Sequence, residues 1–557
     1  MLPLLDFVRV RVLIPFLVFI LLIGVLYTSV TLSSRRPVIE AVTPTRAATG
    51  ETVTIEGRHF GGSRAEGRVR IGGSYLPNAA YTSWSDQVIR FRLPNEIGSG
   101  LLYVSTVHGL SEGVLFTNHR DIPQAEESTT DNPSAPFLVD NEPLELRIGE
   151  LLVLRGRRFG HQRFDGEVIF RFSGPDGIRE KSAGADDRDY ELWTDREIQV
   201  RVPDGVGDGS VVVRNDRGRS KPLRLSVLRP VGEKSFEKPS LYVFTQTVAF
   251  SHATTRSDIS DENILFIHQA HPVADASQEA VLRRQSGEPY AEYDDMSVVR
   301  FDNLAPTDSL VIEREFEVER YPVRTEIQDA RVPFQYRMPV RFLTEHRSAD
   351  AFVPSEAEII RSVARVAVGN QRNPHLKAGL LLNALRNRMS YDALLGGASG
   401  EDAVSAWEAG SGDAFAYASL YTALLRAAEV PSRMIAGFLV LENNDVARHF
   451  WVEYYLQDFG WVPVDPALTD GYLPEGFYLE AAGDQNAAEF YFGNLDGRRI
   501  AFSNGLILRR PLRPDAQLEP DSGSQAYALQ SVFEERVGNL TGYILRRPAI
   551  ELSKVEP

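Results

Sequence analysis

The chain has 557 residues, of which 43% are hydrophobic and 24% are charged. This is the composition of ordinary globular protein at a length too great for one hydrophobic core, so we predict about three to five domains. The formal net charge of −16 argues against nucleic acid as a partner, because such binding requires a basic face. The chain contains no cysteine, which excludes disulfide bonds, zinc–thiolate sites, iron–sulfur clusters and thiol chemistry.

The N-terminal region contains an apolar stretch, Val12–Leu32, without a charged residue. A helix of about 20 residues, at about 1.5 Å rise per residue, crosses a bilayer core of about 30 Å. A cleaved signal peptide is the alternative, but its apolar region is shorter and ends in a small-residue cleavage site, which this stretch lacks. We therefore predict that residues 1–34 form a membrane anchor.

The side of the membrane on which the remaining chain lies is less directly encoded. Arginines flank the apolar stretch at both ends, so the positive-inside rule gives no orientation. A large body behind an N-terminal anchor is most often outside the cytoplasm. We expect a single-pass protein of the cell membrane, with the bulk of the chain in the periplasm or at the cell surface.

An internal repeat follows the anchor. The stretch Gly50–Gly62, "GETVTIEGRHFGG", recurs as Gly149–His161, "GELLVLRGRRFGH", and Trp84–Pro94 recurs as Trp193–Pro203. Each copy alternates apolar and polar residues between turn-forming residues, which predicts strands with one buried face. Copies of about 90 residues favour two small β-sandwiches over a solenoid, whose repeats have 20–50 residues.

The first copy carries a family resemblance. Its opening, "PVIEAVTPTRAATGETVTIEGRHFG" (residues 37–61), resembles that of an IPT/TIG domain, an immunoglobulin-like sandwich. The second copy shares the pattern from Gly149 onward, while its lead-in differs. The resemblance implies IPT/TIG-like sandwiches at residues 37–120 and 136–229. Domains of this kind bind, space or rigidify, and the fold alone names no partner.

The regions on either side of the helical part have weaker patterns. Residues 238–345 alternate like strands, as in "SLVIEREFEVERYPV", and are predicted to form a further β-rich domain. Residues 511–557 are predicted to be a C-terminal tail with a short helix around residues 525–538, "QAYALQSVFEERVG". Acidic clusters in the chain lack the spacing of a calcium loop, and we predict neither a metal site nor a cofactor.

The stretch from Gly410 to Phe438, "GSGDAFAYASLYTALLRAAEVPSRMIAGF", has the pattern of a site for a reactive thiol. A turn of small residues leads to Asp413, a good N-cap, and a helix whose first residue is Ala414. A helix N-terminus lowers the pKa of a thiol, which also needs a histidine to take its proton and a third group to orient that histidine. His449 and Asp465, on two strands joined by a short turn, can supply both.

These residues carry a second resemblance. Together with "HFWVEYYLQDFGWVPVDP", the stretch resembles the transglutaminase-like core of the papain-like superfamily. The resemblance implies an α+β domain at residues 350–510, with His449 as general base, Asp465 as the orienting acid and Ala414 at the position of the nucleophilic cysteine. Glu429 and Phe450 also replace the family's usual glycine and alanine. The predicted fold class is therefore multidomain: immunoglobulin-like all-β sandwiches, then a transglutaminase-like domain, behind an N-terminal transmembrane helix.

Ala414 leaves three explanations open, because alanine has no lone pair with which to attack a carbonyl. The protein is a natural pseudoenzyme, or a cysteine was deliberately replaced in the sequenced protein, or His449 and Asp465 activate a water without covalent catalysis. We predict the first: a catalytically inactive module of the cell envelope that binds a peptide or protein or acts as a scaffold. The alternatives are a thiol-dependent transglutaminase, amidase or protease that lost its cysteine, and a purely architectural spacer.

Overall fold

A computed structural model describes most of the chain from Arg36 onward. The described residues are 36–47, 50–64, 67–72, 74–94, 97–118, 134–139, 143–163, 166–175, 177–184, 189–251, 254–255, 263–287, 289–292, 296–302, 304, 309–392, 402–442, 444–477, 487–505, 512, 517–519, 532–538, 540–541, 544–546 and 550–556. In these ranges, none of the helices has the length and apolar character needed to cross a bilayer. The predicted anchor, residues 1–34, lies outside them. Contacts divide the chain into two units, Met1–Gln124 and Ala125–Pro557.

The first unit contains a sandwich of two sheets. One sheet has the strand order Val38–Thr43, Thr52–Arg58, Val88–Arg92 and Tyr81–Trp84. The other has the order Arg46–Ala47, Val114–Asn118, Gly100–Thr106, Gly67–Ile71 and Ser74–Tyr75, with Gly109–Leu110 paired to Gly100–Thr106. A 3₁₀ turn spans Asn78–Ala80. The alternating residues of each strand that point inward form one apolar core, as the period of two predicts.

The second sandwich, in the second unit, repeats this topology. One of its sheets has the strand order Phe137–Leu138, Leu151–Arg157, Glu197–Arg201, Tyr190–Trp193. The other has the order Leu144–Arg147, Leu223–Leu228, Gly209–Asn215, Glu167–Gly174, Gly177–Ser182, with Gly218–Arg219 paired to Gly209–Asn215. The repeated tryptophans have a structural role. The Nε1–H of Trp84 donates to the carbonyl of Phe60, and that of Trp193 donates to the carbonyl of Phe159, each over 3.2 Å.

A β domain follows, and its sheets use strands from two distant parts of the chain. One sheet has the order Gln278–Gln285, Ser309–Arg320, Ser240–Ser251, with Ile544–Arg546 and Ile550–Glu556 both paired to Ser240–Ser251. A second has the order Ala291–Glu292, Met296–Asp302, Ile264–Ala270, Val532–Val537, Gln517–Glu519. Two ribbons pair Gly232–Phe236 with Val323–Ile327 and Thr254–Thr255 with Leu540–Thr541.

This arrangement corrects the prediction for residues 511–557. The predicted helix around residues 525–538 is wrong in its second half, because Val532–Val537 is a strand paired with Ile264–Ala270; residues 525–531 lie outside the described ranges. The segment is also more than a tail, since Ile550–Glu556 lies along Ser240–Ser251. The hydrogen bonds offered by an existing sheet outweigh the local helix propensity of this segment.

In the sequence, the α+β region lies between these two parts of the β domain. Its helices, numbered here in chain order, are α1 (Val340–Arg347), α2 (Glu358–Val368), α3 (Pro374–Arg388), α4 (Ala403–Ala409), α5 (Ala414–Ala427), α6 (Pro466–Thr469) and α7 (Ala487–Phe490), and a 3₁₀ turn spans Asp329–Arg331. An antiparallel sheet has the order Gly460–Val464, Val446–Leu456, Ser432–Val440, Arg499–Asn504, and a short parallel pair joins Ser390–Tyr391 to Ser411–Gly412. Helix α5 is buried along nearly its whole length and packs on this sheet.

Candidate functional site

The start of α5 is built by local capping. Helix α4 ends at Gly410 in the left-handed conformation, with φ of 68°, and the short strand Ser411–Gly412 follows. The carboxylate of Asp413 then accepts a hydrogen bond from the backbone N–H of Ala416 over 3.0 Å. This satisfies one of the unpaired donors of the first turn. The helix N-terminus that the sequence predicts is therefore present, and Ala414 is its first residue.

Ala414 lies in an apolar environment. It is 4% exposed and belongs to the same apolar cluster as Phe415 and Phe450. The rings of these two phenylalanines are 5.2 Å apart in an edge-to-face arrangement, which is a favourable geometry for aromatic pairs. Phe450 directly follows His449 in the chain. The phenylalanine that replaces the usual alanine therefore adds to the packing between α5 and the sheet.

His449 and Asp465 meet as the sequence predicts. His449 lies on the strand Val446–Leu456, and Asp465 follows the adjacent strand Gly460–Val464. The two strands are joined by a tight turn and pair in register, which brings His449 Nε2 to 2.7 Å from Asp465 Oδ2. His449 is 1% exposed and Asp465 is fully buried.

A second acceptor role fixes the position of Asp465. Its Oδ1 accepts a hydrogen bond from the backbone N–H of Leu468 over 3.2 Å, so that Asp465 is also the N-cap of α6. Its own backbone N–H donates to the carbonyl of Tyr491 over 3.1 Å. Asp465, whose carboxylate holds the imidazole, therefore makes hydrogen bonds through three of its atoms: Oδ1, Oδ2 and the backbone N.

Sequence reasoning missed a buried ionic network behind this pair. Arg499, fully buried, donates from one Nη to Asp465 Oδ2 over 3.0 Å and from the other to Asp496 Oδ2 over 2.8 Å. The hydroxyl of Tyr491 also donates to Asp496 over 2.8 Å. The guanidinium lies 5.1 Å from the ring centroid of Trp451. The only signal in the sequence is an arginine at the start of an apolar strand, which does not reveal a partner 34 residues away.

The network sets the charge state of Asp465. Burial by itself would raise the pKa of Asp465, but His449, Arg499 and the Leu468 N–H together hold that pKa below its usual value. The same balance, with Arg499 and Tyr491 as partners, lowers the pKa of Asp496. Because Asp465 is an ionised carboxylate, it can only accept, and His449 Nε2 must donate to it. Nδ1 is therefore the atom that accepts a proton when the neutral imidazole acts as a base.

Other hydroxyl groups on α5 are committed elsewhere. The Ser419 hydroxyl is buried and donates to the carbonyl of Ala416 over 3.2 Å. The Tyr417 hydroxyl donates to Asp470 over 2.7 Å, and burial together with that carboxylate raises its pKa. Neither group lies at the first residue of the helix. Among the described residues, no cluster of three or more histidine, aspartate or glutamate side chains could hold a metal ion.

Comparison with known proteins agrees with this architecture. The family model of the transglutaminase-like superfamily matches residues 361–466, and that of the IPT/TIG domain matches residues 37–118. An uncharacterized protein of Haemophilus influenzae is 26% identical over 210 residues, which are 33% of this chain and 55% of that protein. A protein-glutamine gamma-glutamyltransferase of Pseudomonas aeruginosa is 30% identical over 138 residues, which are 22% of this chain and 21% of that protein.

A solved structure with a matching region is the periplasmic domain of TgpA from Pseudomonas aeruginosa, bound to ethylmercury. It is 16% identical, covers 42% of this chain and 90% of that structure, and has a TM-score of 0.24. This chain thus spans about half and about a fifth of the two curated relatives. Both predicted resemblances are confirmed by the family models. The chain contains an IPT/TIG domain and a domain of the transglutaminase-like superfamily, to which the His449–Asp465 pair belongs.

Proposed function

We propose that this protein is a membrane-anchored, extracytoplasmic scaffold or binding protein whose transglutaminase-like domain has no covalent chemistry. The observation that carries the proposal is Ala414, which lies buried among apolar side chains at the first residue of α5. Without a thiolate there, no acyl-enzyme can form from an amide substrate. The chain has no cysteine that could act in its place.

The retained His449–Asp465 pair is consistent with this proposal, because the pair has a structural role of its own. Asp465 caps α6 and shares Arg499 with Asp496. Removal of one member of such a buried ionic network leaves an unpaired charge, which costs several kcal/mol. The structural role of Asp465 therefore accounts for its presence without catalysis.

The location and the partner are also part of the proposal. The apolar stretch Val12–Leu32 has the length of a membrane-spanning helix, and the region between it and the transglutaminase-like domain is built from two sandwiches and a β domain. We propose that the chain is held at the membrane by this stretch and that the transglutaminase-like domain, outside the cytoplasm, takes a peptide or protein partner. A purely architectural spacer would have the same domains and no ligand.

A second candidate is a thiol enzyme whose cysteine was replaced. It is favoured by the intact geometry around the missing thiol: the capped start of α5 and the 2.7 Å hydrogen bond between His449 and Asp465. The codon for residue 414 in the native gene separates the two candidates. An alanine codon rules out the replaced enzyme.

The decisive experiment introduces a thiol by Ala414→Cys, which gives the chain a single cysteine. Labelling by iodoacetamide at pH 6 and turnover of a glutamine-containing peptide are measured, with Val366→Cys as the matched reference because Val366 is 81% exposed. We expect the cysteine at position 414 to react no faster than the reference, since its site is buried, and we expect no turnover by either variant or by the unmodified protein.

Two outcomes would count against the proposal. Rapid labelling and turnover by the Ala414→Cys variant, both abolished by His449→Ala, would show a complete catalytic geometry. This would mean that an enzyme lost its cysteine recently or that the cysteine was replaced, and the codon for residue 414 separates these two cases. Amide hydrolysis by the unmodified protein that disappears with His449→Ala would show that the imidazole activates water directly. Circular dichroism of each variant checks that a loss of activity is not a loss of fold.

A further inference from the structure

A cavity of about 280 Å³ lies within the second unit, and neither His449 nor Asp465 belongs to its lining. It is formed where the second sandwich meets the strand Gly232–Phe236 and the turn residues Asp458 and Phe459 of the transglutaminase-like domain. Its volume is just below the range of about 300–1,000 Å³ that is common for small-molecule sites. A position between domains is also where such sites are often found.

One side of the cavity is lined by apolar side chains, and glycine backbone contributes to the rest of the lining. The apolar side is formed by Ile148, Phe172, Val206, Phe236 and Phe459. Four glycines, Gly174, Gly205, Gly207 and Gly232, contribute backbone to the lining. At Gly207 an added Cβ would meet only ordinary contacts, 3.4 Å from Phe172 and 3.7 Å from Arg229. A larger side chain at residue 207 would therefore occupy space that is now open.

Arg179 contributes a buried cation to the lining. Its side chain is 7% exposed, and the guanidinium carbon lies 3.9 Å from the ring centroid of Tyr321. Nε and one Nη donate to Glu279 Oε1 over 3.0 and 2.8 Å. The other Nη is buried and has no hydrogen-bond partner among the described residues. A buried N–H donor without a partner carries a desolvation cost that an acceptor in the cavity would remove.

Arg229 contributes a second cation with unused donors. Its nearest carboxylate oxygen is Asp208 Oδ2 at 3.9 Å, which is beyond hydrogen-bond distance. The other oxygen of Asp208 accepts from the backbone N–H of Val227 over 2.6 Å. Within the described ranges, the Arg229 guanidinium thus has a loosely paired charge and donors that are not satisfied by protein.

The remaining charged groups of the lining are satisfied. The Lys234 ammonium donates to both oxygens of Asp204 and to the carbonyl of Trp461, and Asp204 also accepts from the Trp461 N–H over 2.9 Å. Asp458 is paired with Arg337. In the part of the chain that the structure describes, the donors of the lining that remain without a protein partner are therefore on two guanidinium groups, those of Arg179 and Arg229.

We propose that this cavity binds a small monocarboxylate with an apolar body. Guanidinium groups form charge-assisted hydrogen bonds with carboxylates. Arg179 has one free Nη for such a bond, and Arg229 supplies a second cation. The phenylalanine rings provide contacts for an apolar or aromatic group attached to the carboxylate. This site goes beyond the proposed function and does not depend on residue 414.

Isothermal titration calorimetry on the 557-residue chain tests the site with 3-phenylpropionate, its neutral amide and acetate as probes. We expect saturable binding of 3-phenylpropionate with one site per chain. The amide lacks the charge and acetate lacks the apolar body. Each should bind at least about tenfold more weakly, the ratio expected from loss of one charge-assisted contact or of a buried ring.

Two variants and a control locate the binding. Arg229→Gln removes one cation, and Gly207→Leu fills the space; each should weaken 3-phenylpropionate at least about tenfold. Arg224→Gln, an exposed position on the neighbouring strand Leu223–Leu228, should leave the affinity unchanged. Absence of saturable binding, equal binding of the acid and the amide, or full affinity in both cavity variants would each overturn the proposal. If one cavity variant fails to fold, the other decides.

Discussion

A single arginine, Arg499, balances the negative charge that accompanies the His449–Asp465 pair in the protein interior. Two carboxylates, Asp465 and Asp496, are buried within reach of one guanidinium, that of Arg499. Each carboxylate has a lowered pKa although burial opposes it, so both carry charge at neutral pH. Without the arginine these charges would repel each other in a medium of low dielectric constant. The pair is thus part of an ion network rather than an isolated catalytic remnant.

The substitution Arg499→Met tests this network. It leaves Asp465 and Asp496 buried without their shared cation, and breaking a buried ion pair costs about 3–5 kcal/mol. We expect the free energy of unfolding in urea to fall by about that amount. The control is Arg361→Met, which removes a surface ion pair with Glu356; the Arg361 side chain is 49% exposed. This substitution should change the free energy of unfolding by at most about 0.5 kcal/mol. Equal effects of both variants would show that the network is not stabilising.

Helix α3 is attached to the sheet through a histidine near its N-terminus. Asn373 caps the helix, and His375 Nδ1 lies 2.5 Å from the hydroxyl of buried Tyr454. The ring of Phe492 stacks on His375 with centroids 5.2 Å apart. Burial lowers the pKa of His375, and the carboxylate of Asp329, 3.6 Å from Nε2, offsets this only in part. The buried site therefore favours the neutral imidazole.

This attachment predicts a pH dependence. Because the pKa of His375 is lower in the folded state, the unfolded chain binds the proton more readily below about pH 6.5, and stability falls as the pH decreases. For one proton the loss is at most about 1.4 kcal/mol per pH unit. We expect urea unfolding to show a smaller loss of stability between pH 7 and pH 5 in His375→Gln than in the unmodified protein. His161→Gln, at an exposed position, should keep the full dependence; if His375→Gln keeps it too, this histidine is not responsible.

At the scale of the whole molecule, the second unit is joined by polar contacts between its domains. Asp204 of the second sandwich accepts from Lys234 and from the backbone of Trp461. The side chain of Gln278, in the β domain, bonds both the N–H and the carbonyl of Ala501 at 2.8 Å. Buried polar contacts of this kind hold only when every partner is in place. We infer that this unit unfolds cooperatively.

The substitution Asp204→Ala tests the connection between the domains. It removes the carboxylate that pairs with Lys234, whose side chain is 9% exposed. The ammonium group is left buried without an anionic partner, which lowers the free energy of unfolding by about 3–5 kcal/mol. We expect scanning calorimetry to show a lower melting temperature for the main transition. The exposed Asp216→Ala, in the same sandwich, is the control. A melting temperature equal to that of the control would mean that Asp204 does not join the domains.

The sequence alone determined the two sandwiches, the start of α5 and the pairing of His449 with Asp465. In each case the signal is local: a repeated strand pattern, the capping residue Asp413, and two strands joined by a short turn whose register follows from that turn. The absence of a nucleophile was also visible, because it is a matter of residue identity at position 414. Short-range rules are sufficient for features of this kind.

The tertiary structure alone decided the rest. Val532–Val537 lies in a segment for which the sequence predicts a helix, and it forms a strand because Ile264–Ala270 offers backbone groups for pairing more than 260 residues away. Arg499 is an unremarkable charge in the sequence, and only the fold brings it to Asp465. The cavity lined by Arg179 and Arg229, for which we propose a carboxylate ligand, exists only where domains meet. Contacts between distant segments depend on the packing of the complete chain, so no local pattern encodes them.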